Sequence, residues 1–309
     1  MGKIALVFAG QGAQKPGMGK EIAENSRTAA EIIARADEIR PGTSRQCFEA
    51  SQEELSQTRN TQPCVYTVDF EMAAVLAENG IRADMVAGYS LGELAALAYS
   101  GALTFEEGLR LVERRGMLMQ KAADEWDTGM VAVLKLSDET VEKICERYDG
   151  VFPVNFNCQG QITVAGIREQ LQELITDVKE AGGLARILEV SGAFHSPFMS
   201  KAADSFAEVL EETQIDEPVI PVFSNRTSGI YGGSAEETRQ LLVQQISNPI
   251  RWQKIIENMI TLGADTFVEV GPGTALTKMI KRISKDVEML HVEDLSSLNE
   301  TIERIKNNG

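Results

Sequence analysis

A five-residue segment, Gly88-Tyr89-Ser90-Leu91-Gly92, joins an apolar strand at residues 85–87 to a helix at residues 93–98. Glycines on both sides of the serine allow close backbone approach, so a sharp turn can hold the Ser90 hydroxyl clear of the sheet. The free N–H groups at the start of the helix suit an oxyanion that forms beside Ser90. The segment predicts acyl chemistry on a serine, although an ordinary strand-turn-helix connection fits these five residues equally well.

Strands alternate with helices through the first 120 residues. We predict strands at 4–8 and 85–88, and helices near 18–38, 62–79, 93–98 and 104–121. This alternation indicates a parallel sheet. The pattern returns after residue 190, with strands at 219–224 and 266–270 and helices near 197–212, 235–246 and 273–284.

Between residues 129 and 190 the order of elements changes to βαββαβ. The strands are predicted at 130–136, 152–157, 161–165 and 185–189, and the helices at 138–148 and 167–181. This is the ferredoxin-like order. We therefore predict an α/β protein with a large, mostly parallel domain at 1–126 and 191–309 and a small ferredoxin-like domain inserted at 127–190. The cleft between them is the expected place for a site.

Composition excludes several classes of function. A formal net charge of −16 argues against a nucleic-acid partner, and no apolar stretch approaches the length of a membrane span. The N-terminus also lacks the pattern of a signal peptide. The four cysteines, at 47, 64, 145 and 158, have no CxxC spacing and no histidine nearby, so we expect neither a metal site nor disulfides. A cytoplasmic protein with reduced thiols fits best.

A serine nucleophile needs a base, and the chain has only two histidines. His291 lies in an alternating, strand-like run at 287–292, where a structural role is favoured. His195 lies in a loop at 191–197 that leaves the inserted domain and re-enters the large one. We predict His195 as the general base for Ser90 and later as the acid for the departing thiolate. The residues alone identify no carboxylate to orient it.

The glycine-rich segment at 10–19 fails both nucleotide-binding patterns. Lys15 stands where a dinucleotide fingerprint needs glycine, and Glu21 stands where a P-loop needs Ser or Thr. The segment still follows a strand at the ligand side of a parallel sheet. Gln11 is therefore expected to place its amide or its backbone N–H near Ser90.

Arg115 falls on the buried face of the predicted helix at 104–121, because apolar residues lie three or four positions away on either side. Arg110 and Arg114 fall toward the polar face. A buried guanidinium needs an anion. Its partner is either a structural Asp or Glu or a substrate carboxylate held in bidentate fashion.

Seven segments together resemble the malonyl-CoA:acyl carrier protein transacylases, the acyltransferases of type II fatty acid synthesis and of polyketide synthases. The similarity spans nearly the whole chain and implies an α/β-hydrolase-like large domain with a ferredoxin-like insert. The segments are Phe8-Ala9-Gly10-Gln11-Gly12-Ala13-Gln14, Gln62-Pro63, Gly88-Tyr89-Ser90-Leu91-Gly92-Glu93, Arg114-Arg115-Gly116, Gly192-Ala193-Phe194-His195-Ser196, Asn248-Pro249-Ile250-Arg251-Trp252 and Glu269-Val270-Gly271-Pro272-Gly273.

The resemblance implies a role for each matching position. Ser90 would carry the malonyl group, His195 would be its base, and Arg115 would pair with the malonyl carboxylate. The oxyanion hole would be formed by Gln11 and the Leu91 N–H, and the backbone carbonyl of Gln245 would hold the histidine in place of a triad carboxylate.

One position departs from the family. Members usually carry histidine immediately before the nucleophile, and here Tyr89 stands in its place. We expect this change to affect how strictly the enzyme selects its acyl group more than it affects the type of reaction. Phe194, before His195, resembles the malonyl-selective pattern.

The resemblance implies a ping-pong transfer in which malonyl-CoA acylates the enzyme, CoA leaves, and acyl carrier protein accepts the malonyl group. No cofactor and no metal are expected, and the enzyme is expected to be a monomer. Carrier proteins are acidic, so Lys281 and Arg282 are predicted to dock them; with Lys278 and Lys285 these form a basic patch that would otherwise be a solvated helix face. The alternatives are a trans-acting polyketide synthase acyltransferase, a serine esterase or thioesterase, and a catalytically silent scaffold for carrier proteins.

Overall fold

The computed structural model describes residues 2–308. Its strands are β1 (Lys3–Phe8), β2 (Met85–Gly88), β3 (Thr128–Leu134), β4 (Val151–Cys158), β5 (Gln161–Ile167), β6 (Leu184–Leu188), β7 (Val222–Phe223), β8 (Ala264–Val270) and β9 (Glu288–Val292). Its helices are α1 (Lys20–Asn25), α2 (Arg27–Ile39), α3 (Thr43–Glu49), α4 (Gln52–Leu55), α5 (Thr58–Glu78), α6 (Gly92–Tyr99), α7 (Phe105–Asp124), α8 (Asp138–Cys145), α9 (Arg168–Glu180), α10 (Ser200–Glu211), α11 (Ala235–Ser247), α12 (Trp252–Thr261), α13 (Ala275–Ile283) and α14 (Leu295–Asn308).

A parallel sheet with the order β7-β2-β1-β8-β9 forms the centre of the large unit. Its middle strands β1, β2 and β8 are buried almost throughout, because helices cover both faces of the sheet, and β1 and β2 are mostly apolar. Since the strands are parallel, their carboxyl ends meet at one edge. The segments that begin at Ala9, Tyr89 and Gly271 leave the sheet together there.

A separate antiparallel sheet has the order β4-β5-β3-β6. Helices α8 and α9 pack on one face, around a core that includes Val131, Ile162 and Leu174. The βαββαβ order and this strand arrangement confirm the predicted fold class of a parallel α/β unit with a ferredoxin-like unit. The domain boundaries at 126/127 and 190/191 stay predictions.

The antiparallel sheet is joined to the large unit by backbone hydrogen bonds before α12. The Ile250 N–H donates to the Val154 carbonyl at 2.8 Å, and the Phe156 N–H donates to the Ile250 carbonyl at 2.9 Å. An aromatic contact also joins the two units, with the ring centroid of Phe152 on β4 6.1 Å from that of Phe198. The open side of the antiparallel sheet therefore faces the edge where β1, β2 and β8 end.

Several predicted elements differ in detail from the observed ones. The helix predicted at 18–38 is split, because Ser26 is extended and its hydroxyl caps α2 by accepting the Ala29 N–H. The segment predicted as a helix at 197–212 opens with a 3-10 turn, Pro197–Met199. The strand predicted at 219–224 is reduced to Val222–Phe223, because Pro221 has no N–H to donate and only its carbonyl reaches β2. Helices α3, α4, α12 and α14 were not predicted.

No helix within residues 2–308 has both the length and the apolar character needed to cross a membrane.

Candidate active site

The turn between β2 and α6 holds Ser90 in a left-handed conformation, with φ of 55°. This conformation is strained for a serine and is typical of a functional turn. The flanking glycines make it possible. A Cβ added at Gly88 would lie 1.9 Å from the Gly92 carbonyl, and one added at Gly92 would lie 2.5 Å from the Phe8 carbonyl oxygen. No larger residue fits at either position without moving the backbone.

Ser90 and His195 are in direct contact, with Ser90 Oγ 2.8 Å from His195 Nε2. On its other side, His195 Nδ1 lies 2.8 Å from the backbone carbonyl oxygen of Gln245. A carbonyl oxygen only accepts hydrogen bonds, so the proton must sit on Nδ1. Nε2 is then an acceptor, correctly placed to take the proton of the Ser90 hydroxyl.

The imidazole of His195 is buried, with 4% of the residue exposed. Burial lowers its pKa to about 3, the charge of Arg115 lowers it as well, and the hydrogen bond to the Gln245 carbonyl acts in the opposite direction. The ring is consequently neutral at physiological pH. That is the form in which a histidine serves as a base.

Arg115 reaches the same serine from α7 and is 1% exposed. Its Nη1 donates to Gln62 Oε1 at 2.8 Å, and its Nη2 donates to Gln245 Oε1 at 2.7 Å and to Ser90 Oγ at 3.1 Å. Its Nε has no hydrogen-bond partner among the described residues. Burial lowers the pKa of the guanidinium to about 10, so it stays charged at neutral pH.

The sequence left two kinds of anionic partner open for Arg115. Within residues 2–308, no carboxylate oxygen lies within 4.0 Å of its guanidinium nitrogens. Its hydrogen-bond acceptors are the neutral oxygens of two glutamines and one serine. A buried cation with only neutral acceptors is well suited to receive an anion from a ligand.

Residues that the sequence analysis did not select hold the turn in place. Asn225 Oδ1 accepts the Ser90 N–H at 2.7 Å, while Asn225 Nδ2 donates to the Gly88 carbonyl at 2.6 Å. Glu93 Oε1 in turn accepts the Asn225 N–H at 2.9 Å and the Tyr231 hydroxyl at 2.6 Å. The one available signal was the acidic Glu93 in an otherwise apolar helix; Asn225 and Tyr231 stand in a loop with no pattern around them.

Gln245 connects these groups through its side chain as well as its carbonyl. Its Nε2 donates to the Ser90 carbonyl at 2.8 Å and to Glu93 Oε2 at 2.5 Å. Burial raises the pKa of Glu93 to about 7, although hydrogen bonds from Tyr231, Asn225 and Gln245 favour its charged form. Gln245 thus fixes the orientation of both His195 and Arg115.

Of the two expected oxyanion-hole residues, Leu91 directly follows Ser90 in the chain, and Gln11 lines the cavity into which Ser90 opens. Leu91 is the N-cap of α6, so its N–H is one of those that have no acceptor within the helix. The Gln11 side-chain amide donates to the Thr58 hydroxyl at 3.2 Å. One N–H of that amide is thereby engaged, whereas the Gln11 backbone N–H has no hydrogen-bond acceptor among the described residues, so the backbone N–H is the freer of the two groups for an oxyanion.

A cavity of about 250 Å³ opens over Ser90 between the two sheets. The parallel unit supplies the glycine-rich segment after β1, the nucleophile turn and the start of α13. The antiparallel sheet supplies apolar and amide side chains. Residues that line it include Gln11, Tyr89, Ser90, Met130, Asn157, Thr163, Phe194, His195, Leu276 and Met279.

The predicted docking residues lie on α13, whose first turns line this cavity through Leu276 and Met279. Lys281 and Arg282 are both exposed. Arg282 donates to Gln161 Oε1 at 2.8 Å, which ties α13 to the hairpin between β4 and β5. His291 lies on β9 and does not line the cavity, although its strand partner Glu269 does.

Comparison with known proteins places these features in a family. The family model described as "Acyl transferase domain" matches residues 5–301. The malonyl CoA-acyl carrier protein transacylase of Bacillus subtilis (strain 168) is 34% identical over 313 residues, which cover 99% of this chain and 98% of that protein.

Solved structures that are similar to this chain belong to the same family. The malonyl CoA-acyl carrier protein transacylase of Clostridium perfringens has a TM-score of 0.95 and 37% identity, covering 99% of this chain and 98% of that one. A malonyl-transacylase in complex with its type II polyketide synthase acyl carrier protein has a TM-score of 0.94 and 34% identity, covering 98% of this chain and 99% of that one.

Proposed function

Because the chain belongs to the acyl transferase family, in its malonyl-CoA:acyl carrier protein transacylase branch, we propose that it moves malonyl groups from malonyl-CoA to acyl carrier protein through an ester on Ser90. The protein is an acyltransferase of fatty acid synthesis. The observation that supports the proposal is that two other side chains meet at the Ser90 hydroxyl oxygen. Ser90 Oγ lies 2.8 Å from His195 Nε2 and 3.1 Å from Arg115 Nη2.

In the first half-reaction, His195 Nε2 takes the Ser90 proton as Oγ attacks the thioester carbonyl. The carbonyl oxygen becomes an oxyanion, which the N–H groups of Leu91 and Gln11 stabilise. Collapse of this intermediate breaks the carbon–sulfur bond, and the imidazolium returns its proton to the CoA thiolate. The Gln245 carbonyl stabilises the imidazolium through Nδ1, the role that a carboxylate has in a triad.

In the second half-reaction, the phosphopantetheine thiol of the carrier protein enters the cavity. His195 takes its proton, the thiolate attacks the malonyl ester, and the proton returns to Ser90 Oγ. Arg115 holds the free malonyl carboxylate throughout, so the acyl group keeps one orientation in both steps.

The test is intact-mass spectrometry of the protein mixed with malonyl-CoA. We expect one malonyl group on the wild-type chain, which persists until a thiol acceptor is added, and none on Ser90→Ala. Prompt release of malonate without an acceptor would indicate a hydrolase and would overturn the proposal. Absence of any adduct on the wild-type chain would instead favour a silent scaffold.

We propose that the carrier protein docks on the basic patch formed by Lys278, Lys281 and Arg282 on α13 and by Lys285 just beyond its end. Helix α13 adjoins the cavity through Leu276 and Met279. In a chain of net charge −16, exposed cations beside the cavity suit an acidic partner. Lys281 gives the cleaner test, since Arg282 also bonds to the hairpin through Gln161.

Reversing the charge with Lys281→Glu should raise the KM for carrier protein by about three- to tenfold, with the difference shrinking as salt increases. Self-acylation from malonyl-CoA should not change. Lys179→Glu is the matched control, because Lys179 is an exposed lysine on α9 and does not line the cavity. An equal effect of both variants would show a general response to net charge and would contradict docking at α13.

One finding favours a second acceptor class. The solved complex with a polyketide synthase carrier protein contains a transacylase that is similar over 98% of this chain. Measuring transfer to carrier proteins of both pathways would distinguish the acceptors.

We further propose that the enzyme is cytoplasmic and monomeric. The four cysteines are buried and unpaired, which supports a reducing compartment.

A further inference from the structure

Tyr89, immediately before the nucleophile, makes a polar contact with the antiparallel sheet. Its ring is half-buried and lines the cavity, and its hydroxyl donates to Asn157 Oδ1 on β4 at 2.6 Å. Asn157 is 3% exposed. An amide oxygen can only accept, so the phenol is the donor in this bond.

The rest of the Asn157 amide is already engaged. Its Nδ2 donates to Thr163 Oγ1 on the neighbouring strand β5 at 3.2 Å. Within residues 2–308, the Tyr89 hydroxyl is the hydrogen-bond donor found for Asn157 Oδ1. Removing that hydroxyl would leave a buried acceptor without a partner, and the amide would be held only through its bond to Thr163.

The tyrosine ring is itself held on two sides. Its edge packs against Trp252, with ring centroids 5.4 Å apart, and Trp252 is fully buried. On the other side lies Gly10, where an added Cβ would come within 2.9 Å of Tyr89 Cδ1. The hydroxyl therefore cannot follow the antiparallel sheet if that sheet moves.

The contacts that Ile250 makes between the two units are backbone hydrogen bonds near α12. They do not involve the nucleophile turn. The Tyr89–Asn157 bond starts at the residue bonded to Ser90 and ends on the opposite wall of the cavity. From this geometry we propose that Tyr89 is a positioning residue, which acts through Asn157 to fix the separation between Ser90 and the antiparallel wall and so sets how well a thioester substrate is held. This inference rests on the proposed function.

Tyr89→Phe removes the hydroxyl and keeps the ring. We expect the KM for malonyl-CoA to rise about tenfold while kcat changes by less than about threefold, because binding across the cavity is weakened and the reacting groups are not. The reaction of Ser90 with a small reagent, phenylmethylsulfonyl fluoride, should stay within about twofold of wild type. If Tyr89→Phe damaged the nucleophile turn, the reaction with phenylmethylsulfonyl fluoride would slow as well. A slower reaction would therefore contradict a positioning role.

The matched control is Tyr148→Phe. The Tyr148 hydroxyl donates to Asp177 Oδ2 at 2.6 Å in the same antiparallel unit, and neither residue lines the cavity. This variant should leave the KM unchanged. In an Asn157→Ala background, Tyr89→Phe should have no more than about a twofold further effect, because the two residues act as one unit. A full additional tenfold loss would overturn the proposed route through Asn157.

Hydrogen exchange of the β4 amides gives a readout that does not depend on activity. Tyr89→Phe should speed exchange around Asn157 relative to wild type and to Tyr148→Phe. If wild type transfers malonyl and neither the KM nor the exchange changes in Tyr89→Phe, the inference fails and the proposed function stands. If wild type transfers no malonyl, the proposed function fails, and the exchange data alone decide whether Tyr89 holds the wall.

Discussion

Replacing His195 with alanine is expected to slow the acylation of Ser90 by malonyl-CoA by about 10²- to 10⁴-fold. Without Nε2 at 2.8 Å, the Ser90 proton has no acceptor of comparable basicity nearby. Rapid quench of the first turnover measures the effect directly. His291→Ala is the matched control, since it removes the other histidine of the chain, which lies outside the cavity. A loss of less than tenfold in His195→Ala would mean that another group acts as the base.

The same histidine makes a prediction about pH. Burial lowers the pKa of His195 to about 3, so the neutral base form predominates at every pH above that value. The first-turnover rate should therefore show no titration of His195 between about pH 5 and pH 8, where an ordinary histidine would titrate. Burial raises the pKa of Glu93, which bonds to Gln245, to about 7, so Glu93→Gln is the control. An inflection near the ordinary histidine pKa that persists in Glu93→Gln would contradict a fully desolvated imidazole.

Replacing Arg115 with alanine is expected to lower kcat/KM for malonyl-CoA by about 10²- to 10³-fold relative to acetyl-CoA. The malonyl carboxylate would lose its cationic partner in a buried site, a loss of about 3–4 kcal/mol, whereas acetyl has no charge to pair. Arg115 also donates to Ser90 Oγ and Gln245 Oε1, so some loss with both substrates is expected. The informative quantity is therefore the ratio of the two.

Competition between the two thioesters, with the acylated serine as product, measures that ratio. Arg114→Ala is the matched control, because Arg114 is the adjacent arginine on α7 and is exposed. It should leave the preference for malonyl unchanged. If Arg115→Ala lost both activities equally, Arg115 would serve the geometry of Ser90 and would not select the substrate.

Sequence reasoning reached Ser90, His195 and Arg115 because each leaves a local signal. Ser90 has flanking glycines, His195 is one of two histidines, and Arg115 falls on an apolar helix face. The structure places the three side chains in contact. The βαββαβ order likewise predicted the antiparallel unit, since alternating strands and periodic helices are local features.

The residues that fix the orientation of these groups left no such signal. Asn225 and Tyr231 stand in a loop, and Gln245 is one polar residue in a helix; only a family resemblance pointed to Gln245. Their roles depend on contacts across more than 100 positions in the chain, as from Asn225 to Ser90 and from Gln245 to Glu93. The short β7 strand was overestimated for a related reason, because the prolines beside it decide its pairing.

Ser90 and His195 both have a positive φ, of 55° and 60°. Residues with a side chain are disfavoured in this conformation, whereas glycine adopts it without strain. A glycine at either position would relieve the backbone strain but would remove the nucleophile or the base. Selection for a more stable fold would thus act against the two residues that meet at the reacting oxygen. An engineer who raises the stability of this enzyme should leave both turns untouched and seek the gain elsewhere.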